Sequence, residues 1–346
     1  MTVAETDVSP QRAEDRLTSW LRQRQESLGV ASPIGDDAAL LAAPGDLAVT
    51  VDTQVEGVHF LPDTDPRVLA HRLLAVNLSD LAAVGARPAW GFLVVSGPES
   101  FDARLFLDTF LTAADTQGLT LAGGDLGRQQ NLTLALTALG TRRRPGRWLR
   151  RGEARAGHRL WLGGTVGEAA LGFRLVEQGA RVVWGDDGPR ADLPADLGFD
   201  DDQDLAATAQ RAVLRHQLPS PQIELGAWLA QTPEGAAIDI SDGLALDLHR
   251  LAEASGVGVR LDTSALPLAG NSERLAKRLG LDAPGLALSG GEDYVLLFTL
   301  PPDLAPPDSW GARAIGQVVE TSEGVIEVGP GGESPLDPAG WDHLRP

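Results

Sequence analysis

The sequence has no cysteine among its 346 residues, which excludes disulfide bonds, thiolate nucleophiles, zinc–thiolate sites and iron–sulfur clusters. Lysine is almost absent as well, since Lys277 is the only lysine among 29 basic residues. No glycine-rich loop precedes Lys277, so the lysine-containing signatures of P-loop proteins and protein kinases are missing. The H-E-x-x-H pattern of zinc proteases and the G-x-S-x-G pattern of α/β-hydrolases are also missing.

Basic charge is in short supply: 48 acidic residues face 29 basic ones, and the net charge is −19. Nucleic acids and anionic membranes both require a basic surface, so we expect neither as a partner. No apolar run approaches the ~20 residues of a membrane-spanning helix. The polar start, MTVAETDVSPQRAEDR, does not resemble a signal peptide. We therefore expect a cytoplasmic protein.

Hydrophobic periodicity predicts a protein of mixed helices and strands. Helices are predicted over 10–28, 66–84, 101–117 and 167–178, and strands over 47–52, 90–96, 132–140, 158–162, 294–300 and 313–328. Residues 236–262 fit a strand, a turn, a helix and a strand, and the acidic segment 184–204 fits a mobile surface loop. Strands and helices do not alternate strictly, so the fold class is α+β (mixed α/β).

The chain is long enough for two domains. Eight arginines crowd the stretch 142–159 and interrupt the pattern of helices and strands. We place the domain boundary there, which gives an N-terminal domain of residues 1–147 and a C-terminal domain of residues 148–346.

Aspartates recur beside glycines or at the ends of strand-like runs. They lie in five segments and comprise Asp36, Asp37, Asp52, Asp80, Asp125, Asp239 and Asp242. Strand ends are where loops converge and ligands bind in α/β folds. Converging carboxylates would repel one another unless a hard cation such as Mg²⁺ joined them, and Mg²⁺ commonly bridges carboxylates to phosphates. Each aspartate taken alone could equally cap a helix or form a turn, so the pattern indicates only a possible magnesium–phosphate site.

The motifs GDDAALL, VDTQVEGVHF, NLSDLAAVGARP, GGD, DISDGL and SGGEDY follow one another between residues 35 and 294. In this order they resemble the thiamine-monophosphate kinase family, within the aminoimidazole-ribonucleotide synthetase superfamily. The resemblance implies a two-domain fold whose N-terminal sheet domain forms a homodimer. It also implies transfer of the γ-phosphoryl group of ATP to thiamine monophosphate, with several Mg²⁺ ions. We expect direct in-line transfer, because the accepting phosphate oxygen is already anionic.

The resemblance also implies roles for individual residues. The implied metal ligands are Asp37, Thr50, the Val51 carbonyl, Asp52, Asp80, Asp125, Asp239 and Asp242. The implied ATP contacts are Asp37, Gly124, Asp125, Arg151 and Ser241. The implied thiamine monophosphate contacts are His59, Glu292 and Trp341. The segment RRGEARAGH departs from the usual family pattern, so Arg150 could take the role of Arg151.

Several alternatives stay open at this point. Arg151 could lie on a solvated linker, Trp341 could be a packing anchor, and Glu292 could only pair with an arginine. Selenophosphate synthetase and the hydrogenase-maturation relative use a cysteine-type residue that this chain lacks. An aminoimidazole-ribonucleotide-synthetase-like ligase is the enzymatic alternative, and a non-catalytic magnesium–nucleotide-binding protein is the other.

Overall fold

The computed structural model describes residues 39–41, 45–199 and 201–342. The helix predicted over 10–28 lies outside the described residues. Asp36 and Asp37 lie outside them too. In the described part of the chain, no helix combines the length and the apolar character needed to cross a membrane.

The first half of the chain forms a five-stranded mixed sheet. Its strands are β1 (Ala39–Leu41), β2 (Leu47–Val55), β3 (Ala86–Gly97), β4 (Thr120–Arg128) and β5 (Thr133–Arg142), in the spatial order β1-β2-β5-β3-β4. Only the β3–β4 pair among these is parallel. Two helices, α1 (Pro66–Ala83) and α2 (Ala103–Thr116), accompany this sheet.

Helix α1 lies at the centre of the molecule. Asp65 caps its start by accepting a hydrogen bond from the Arg67 backbone nitrogen at 2.8 Å, and Pro66 fits the first turn. Nearly every side chain from Val68 to Ala83 is buried, as expected for a helix covered on all sides. One hydrophobic core joins α1 to both large sheets, because it includes Leu73, Leu134 and Phe298. Polar side chains on α1 can therefore reach both halves of the chain.

The second half of the chain forms a seven-stranded sheet in the order β14-β13-β10-β12-β6-β11-β9. Its strands are β6 (Arg159–Leu162), β9 (Ala237–Asp239), β10 (Gly258–Asp262), β11 (Leu296–Leu300), β12 (Arg313–Val319), β13 (Val325–Gly329) and β14 (Gly332–Pro335). The described residues of this half also form α3 (Glu168–Glu177), α4 (Gln203–Gln217), α5 (Ile223–Leu229), α6 (Leu244–Ser255), α7 (Ser272–Arg278) and α8 (Ala283–Ser289).

The prediction of a loop over 184–204 is wrong for residues 184–192. Strands β7 (Arg181–Gly185) and β8 (Gly188–Asp192) form an antiparallel hairpin in this region. The Trp184 ring holds the hairpin against α1, with the Arg67 guanidinium carbon 4.4 Å and the His71 ring 6.4 Å from its centroid. Cation–π contact and burial of a large ring stabilise this arrangement. The many acidic, proline and glycine residues of the segment are typical of loops, which is why the sequence did not predict a hairpin here.

The predicted fold class is confirmed, because sheets and helices mix in both halves. The predicted helices over 66–84, 101–117 and 167–178 match α1, α2 and α3 to within two residues at each end. The strand predicted over 47–52 continues to Val55, since β2 pairs with β5 as far as Val55 and Thr133. The domain boundary after residue 147 stays a prediction.

Candidate active site

A cavity of about 470 Å³ lies between the two halves of the chain. Segments distant in the sequence line it: the end of β2 with the turn after it, α1, α3, the loop after β9, the loop before β11, and Trp341. Eight of the residues with implied roles line this one cavity: Asp52, His59, Asp80, Asp239, Ser241, Asp242, Glu292 and Trp341. Four of the five described aspartates of the predicted set, Asp52, Asp80, Asp239 and Asp242, therefore converge on this cavity, whereas Asp125 does not line it.

Helix α1 and strand β2 position the first two aspartates. The Thr50 hydroxyl donates a hydrogen bond to Asp80 Oδ2, which holds the carboxylate against the strand. The Asp52 backbone nitrogen donates to Asn77 Oδ1 at 3.2 Å. Asn77 is fully buried, and its amide nitrogen donates to the Leu73 carbonyl at 2.9 Å. A buried amide satisfied in this way fixes the end of β2 relative to the helix.

A hydrogen bond links α1 to the seven-stranded sheet beside the cavity. The Ser79 hydroxyl donates to Asp239 Oδ2 at 2.6 Å, and both side chains are buried. Asp239 ends β9, where it is in register with Leu296 of β11. Carboxylates from both halves of the chain are thus held close to the same turn of α1.

Asp247 shapes the loop that carries Ser241 and Asp242. It is buried, and its Oδ2 accepts hydrogen bonds from the backbone nitrogens of Ser241, Asp242 and Gly243 at 3.1–3.2 Å. Arg250 donates to Asp242 Oδ2 at 2.6 Å and to Asp247 Oδ1 at 2.9 Å. Sequence reasoning missed Asp247; the available signal was one acidic residue within the apolar run LALDL.

The loop before β11 has an unusual backbone. Gly291, Glu292 and Tyr294 have φ angles of 68°, 60° and 48°, a left-handed region that residues other than glycine rarely adopt. A Cβ atom on Gly291 would lie 2.7 Å from the Ser241 carbonyl oxygen, so only glycine permits this close approach of the two loops. The Glu292 backbone nitrogen donates to that same carbonyl at 2.7 Å. Strained backbone of this kind concentrates at functional sites.

Arg72 and His216 hold the Glu292 side chain. Arg72 Nη2 donates to Glu292 Oε1, and His216 Nδ1 lies 3.0 Å from Glu292 Oε2. Burial raises the pKa of Glu292, but the charges of Arg72 and His216 outweigh it and hold that pKa well below its usual range. The carboxylate is therefore an anion that faces the cavity.

His59 and Trp341 complete the cavity on its open side. The His59 Nδ1 atom accepts a hydrogen bond from the Val55 backbone nitrogen at 3.0 Å. His59 also lines the cavity. The Trp341 side chain is 52% exposed, and its backbone nitrogen donates to the Asp242 carbonyl at 2.9 Å. A half-exposed indole at a cavity mouth offers an aromatic face to a ligand.

Five of the implied residues that the structure describes are not among those that line the cavity: Thr50, Val51, Gly124, Asp125 and Arg151. Gly124 and Asp125 lie in β4, an edge strand that is exposed along most of its length.

Burial and the neighbouring Asp242 raise the pKa of Asp247 to about 7, whereas the charges of Arg250 and Arg151 act in the opposite direction. Arg151 is therefore electrostatically linked to the loop beneath the cavity.

The described residues suit a cation that is shared with a substrate. Asp52, Asp80, Asp239 and Asp242 supply hard oxygen donors of the kind that Mg²⁺ prefers. Within the described ranges, no three acidic or histidine side chains come close enough to hold a metal ion by themselves. Magnesium usually keeps several waters and takes the rest of its ligands from substrate phosphates, so this looser carboxylate set fits it.

Asp293, next to Glu292, should make the free energy of unfolding depend on pH. It is buried and accepts hydrogen bonds from the Gly167 and Ala169 backbone nitrogens at 2.8 Å and 3.4 Å. Burial raises its pKa to about 7, although these two backbone donors oppose the shift. Asp293 therefore stays protonated in the folded protein at pH values where the unfolded chain, with its pKa near 4, releases the proton. The contribution of this group to the free energy of unfolding falls as the pH rises from about 4 to 7.

We expect Asp293→Asn to remove this part of the pH dependence. The free energy of unfolding of the native sequence should fall relative to that of the variant by on the order of 1 kcal/mol per pH unit between about pH 5 and pH 7. Urea titrations at several pH values measure it. Other titrating groups contribute equally to both proteins and cancel in the difference, so parallel pH profiles would contradict the prediction.

The chain resembles known proteins both in sequence and in overall structure. The model of the AIR synthase related protein N-terminal domain matches residues 35–142. Thiamine-monophosphate kinase of Escherichia coli (strain K12) is 36% identical over 340 residues, which cover 93% of this chain and 95% of that protein. The structure of thiamine-monophosphate kinase from Stenotrophomonas maltophilia K279a is 35% identical, with a TM-score of 0.68, over 91% of this chain and 96% of that one.

A structure described as AaThiL complexed with AMPPCP and TMP superimposes with a TM-score of 0.79 at 26% identity. It covers 97% of this chain and 100% of that chain. Sequence and structure therefore match over almost the whole length, and the chain belongs to the thiamine-monophosphate kinase family of enzymes.

Proposed function

We propose that this kinase transfers the γ-phosphoryl group of ATP to the phosphate of thiamine monophosphate in one in-line step, in the cavity described above. A phosphate oxygen of thiamine monophosphate forms the new P–O bond as the bond to ADP breaks, giving thiamine diphosphate and ADP. One observation carries the proposal: carboxylates from both halves of the chain meet in the cavity that His59, Glu292 and Trp341 also line. The related AaThiL structure holds AMPPCP and TMP together, which supports the same pair of substrates here.

Magnesium ions are part of the proposal. Asp52, Asp80, Asp239 and Asp242 would hold them, with Thr50, the Val51 carbonyl, Asp37 and Asp125 as further proposed donors. When bound, Mg²⁺ would neutralise the phosphates and stabilise the charge of the transferring group. The chain itself orients these donors, since Thr50 holds Asp80 and Ser79 holds Asp239.

The accepting phosphate needs no general base, because its oxygen is already anionic at neutral pH. The task of the protein is to bring two anions together inside an acidic cavity. We assign thiamine monophosphate to the side formed by His59, Glu292 and Trp341. There the anionic Glu292 and the indole face both suit a cationic thiazolium ring. Gly124, Asp125, Arg151, Ser241 and Asp37 stay the proposed ATP contacts.

We also propose that the protein is a cytoplasmic homodimer formed through its five-stranded sheet. Val51, Trp90 and Phe92 are large apolar side chains with exposed fractions of 59%, 44% and 44%. They share one face, because Val51 and Phe92 both pair with Thr137, and Trp90 pairs with Leu139 two residues further along β5. An exposed apolar patch on a sheet face is typical of a self-complementary interface.

We expect Phe92→Arg to convert the dimer into a monomer, because it would place a charge in the centre of this patch. Light scattering on a size-exclusion column would then give a mass near the 36.4 kDa of one chain. Leu111→Arg is the matched control, since Leu111 is also 46% exposed but lies in α2. A native protein that is monomeric, or a Phe92→Arg variant that remains dimeric, would refute the interface.

A coupled assay of ADP release tests the activity itself. ADP should form with ATP, Mg²⁺ and thiamine monophosphate, should not form with thiamine, and should disappear when EDTA removes the metal. Release of ADP only with a ribonucleotide substrate would favour the synthetase-like ligase. Binding of Mg²⁺–ATP without any turnover, on folded protein, would favour the non-catalytic alternative.

A further inference from the structure

Arg72 is the largest fully buried side chain among the described residues, and no sequence motif assigns it a role. It lies in α1 within the apolar run VLAHRLLAV, with a side-chain exposure of 1%. Burying a guanidinium is costly unless every part of it is paired. A buried arginine on the central helix therefore requires a structural or functional explanation.

The three nitrogens of the guanidinium bind three different elements. Nε donates to Gln54 Oε1 of β2 at 3.2 Å, Nη1 donates to the His216 carbonyl at the end of α4, and Nη2 donates to Glu292 Oε1. Planar guanidinium donors have fixed directions, so this set of partners defines the position of each. Arg72 thereby joins the first half of the chain to two elements of the second half.

Glu292 is the partner that reaches the cavity. Its side chain keeps an exposure of 30% and lines the cavity, while the Arg72 nitrogen that holds it is hidden behind it. His216 contacts the other carboxylate oxygen, so both oxygens are held from the protein side. The Glu292 backbone is itself left-handed, a strained conformation that persists only where the surrounding structure enforces it.

Arg72 also lies on the same helix as Asp80. Eight residues of α-helix separate them, or about 12 Å along the axis. The proposed metal ligand and the arginine that holds the proposed substrate carboxylate are thus carried by one rigid element. Any change in the Arg72 contacts would move Glu292 relative to Asp80.

We propose that Arg72 is a positioning residue that holds Glu292 against thiamine monophosphate, so that it acts on the binding of this substrate through Glu292 alone. The proposal rests on the function proposed above, and in particular on the contact between Glu292 and thiamine monophosphate. It assigns Arg72 no contact with either substrate.

The test is a double-mutant cycle with Arg72→Gln, Glu292→Gln and the pair, measured by ADP release. Each single change should raise the KM for thiamine monophosphate by about tenfold or more, while the KM for ATP stays within about twofold. The pair should resemble Glu292→Gln alone, because Arg72 has nothing left to position. Arg104→Gln is the matched control, since Arg104 is 88% exposed on α2 and should change neither KM.

Arg72→Lys guards against a variant that does not fold. Lysine keeps the positive charge but cannot reach three partners in three directions, so its KM for thiamine monophosphate should lie between those of the native protein and Arg72→Gln. If Arg72→Gln fails to fold, the cycle is measured with Arg72→Lys.

Effects of the two changes that multiply, or an equal rise in both KM values, would overturn the positioning role. A normal KM for thiamine monophosphate in Glu292→Gln, with ADP release intact, would overturn it too and leave the kinase activity standing. Absence of ADP release by the native protein would instead be a failure of the proposed function.

Discussion

Asp80→Asn should lower kcat/KM by about a hundredfold or more. The substitution keeps the size of the side chain and an oxygen that can accept the Thr50 hydrogen bond, but it removes the negative charge. A neutral amide is a weaker ligand for Mg²⁺ than a carboxylate.

The dependence on magnesium distinguishes loss of a metal ligand from general damage. With Asp80→Asn, the Mg²⁺ concentration that gives half-maximal ADP release should rise, and part of the lost activity should return at high Mg²⁺. Asp108→Asn is the matched control, because Asp108 is 64% exposed on α2 and pairs only with Arg104 in the salt bridges of the described residues. Activity of Asp80→Asn within about threefold of the native value would remove Asp80 from the metal site.

The central helix and its neighbours could be predicted because their signals are local. The periodic apolar residues of α1, Asp65 before it and Pro66 in its first turn all indicate a helix without knowledge of the rest of the fold. Buried and more exposed residues alternate along much of β2 and β5, which is a local signal for a strand. The motif order then identified the family, which the comparisons confirm.

Strand β4 shows where local signals fail. The sequence around Gly123, Gly124 and Asp125 suggests a turn, because glycine and aspartate are poor strand formers. In the structure this segment pairs in parallel with β3 from Trp90 to Gly97. A Cβ on Gly124 would lie 1.8 Å from the Leu93 carbonyl oxygen, so the glycine permits a close approach that only the long-range pairing reveals.

The contacts among the buried charges around the cavity could not be predicted for a related reason. Arg72, His216 and Glu292 are far apart in the chain, and each has a different kind of sequence around it. These three side chains meet only because α1, the end of α4 and the loop before β11 are in contact in the folded protein. A single sequence carries no signal for such a contact. The direct hydrogen bond between Ser79 and Asp239 was missed for the same reason.

Gly172→Ala should lower the free energy of unfolding by roughly 3 kcal/mol, although alanine favours a helix by about 1 kcal/mol over glycine. Gly172 lies in α3 where that helix crosses α4. A Cβ atom there would lie 2.0 Å from the Ala212 carbonyl oxygen and 2.9 Å from the His216 Cβ. The first neighbour is backbone and cannot rotate away, so the two helices would have to separate. The steric cost therefore exceeds the gain in helix propensity.

The separation would also reach the cavity, because α3 contributes Phe173 to its lining and His216 of α4 contacts Glu292. We expect a higher KM for thiamine monophosphate together with the lower stability, measured by ADP release and by urea unfolding. Gly331→Ala is the matched control: a Cβ at Gly331, in the turn between β13 and β14, meets nothing within 4 Å. If Gly172→Ala were as stable as Gly331→Ala, α3 and α4 would be able to move apart freely, and the close packing behind the Glu292 side chain would not hold that side chain in place.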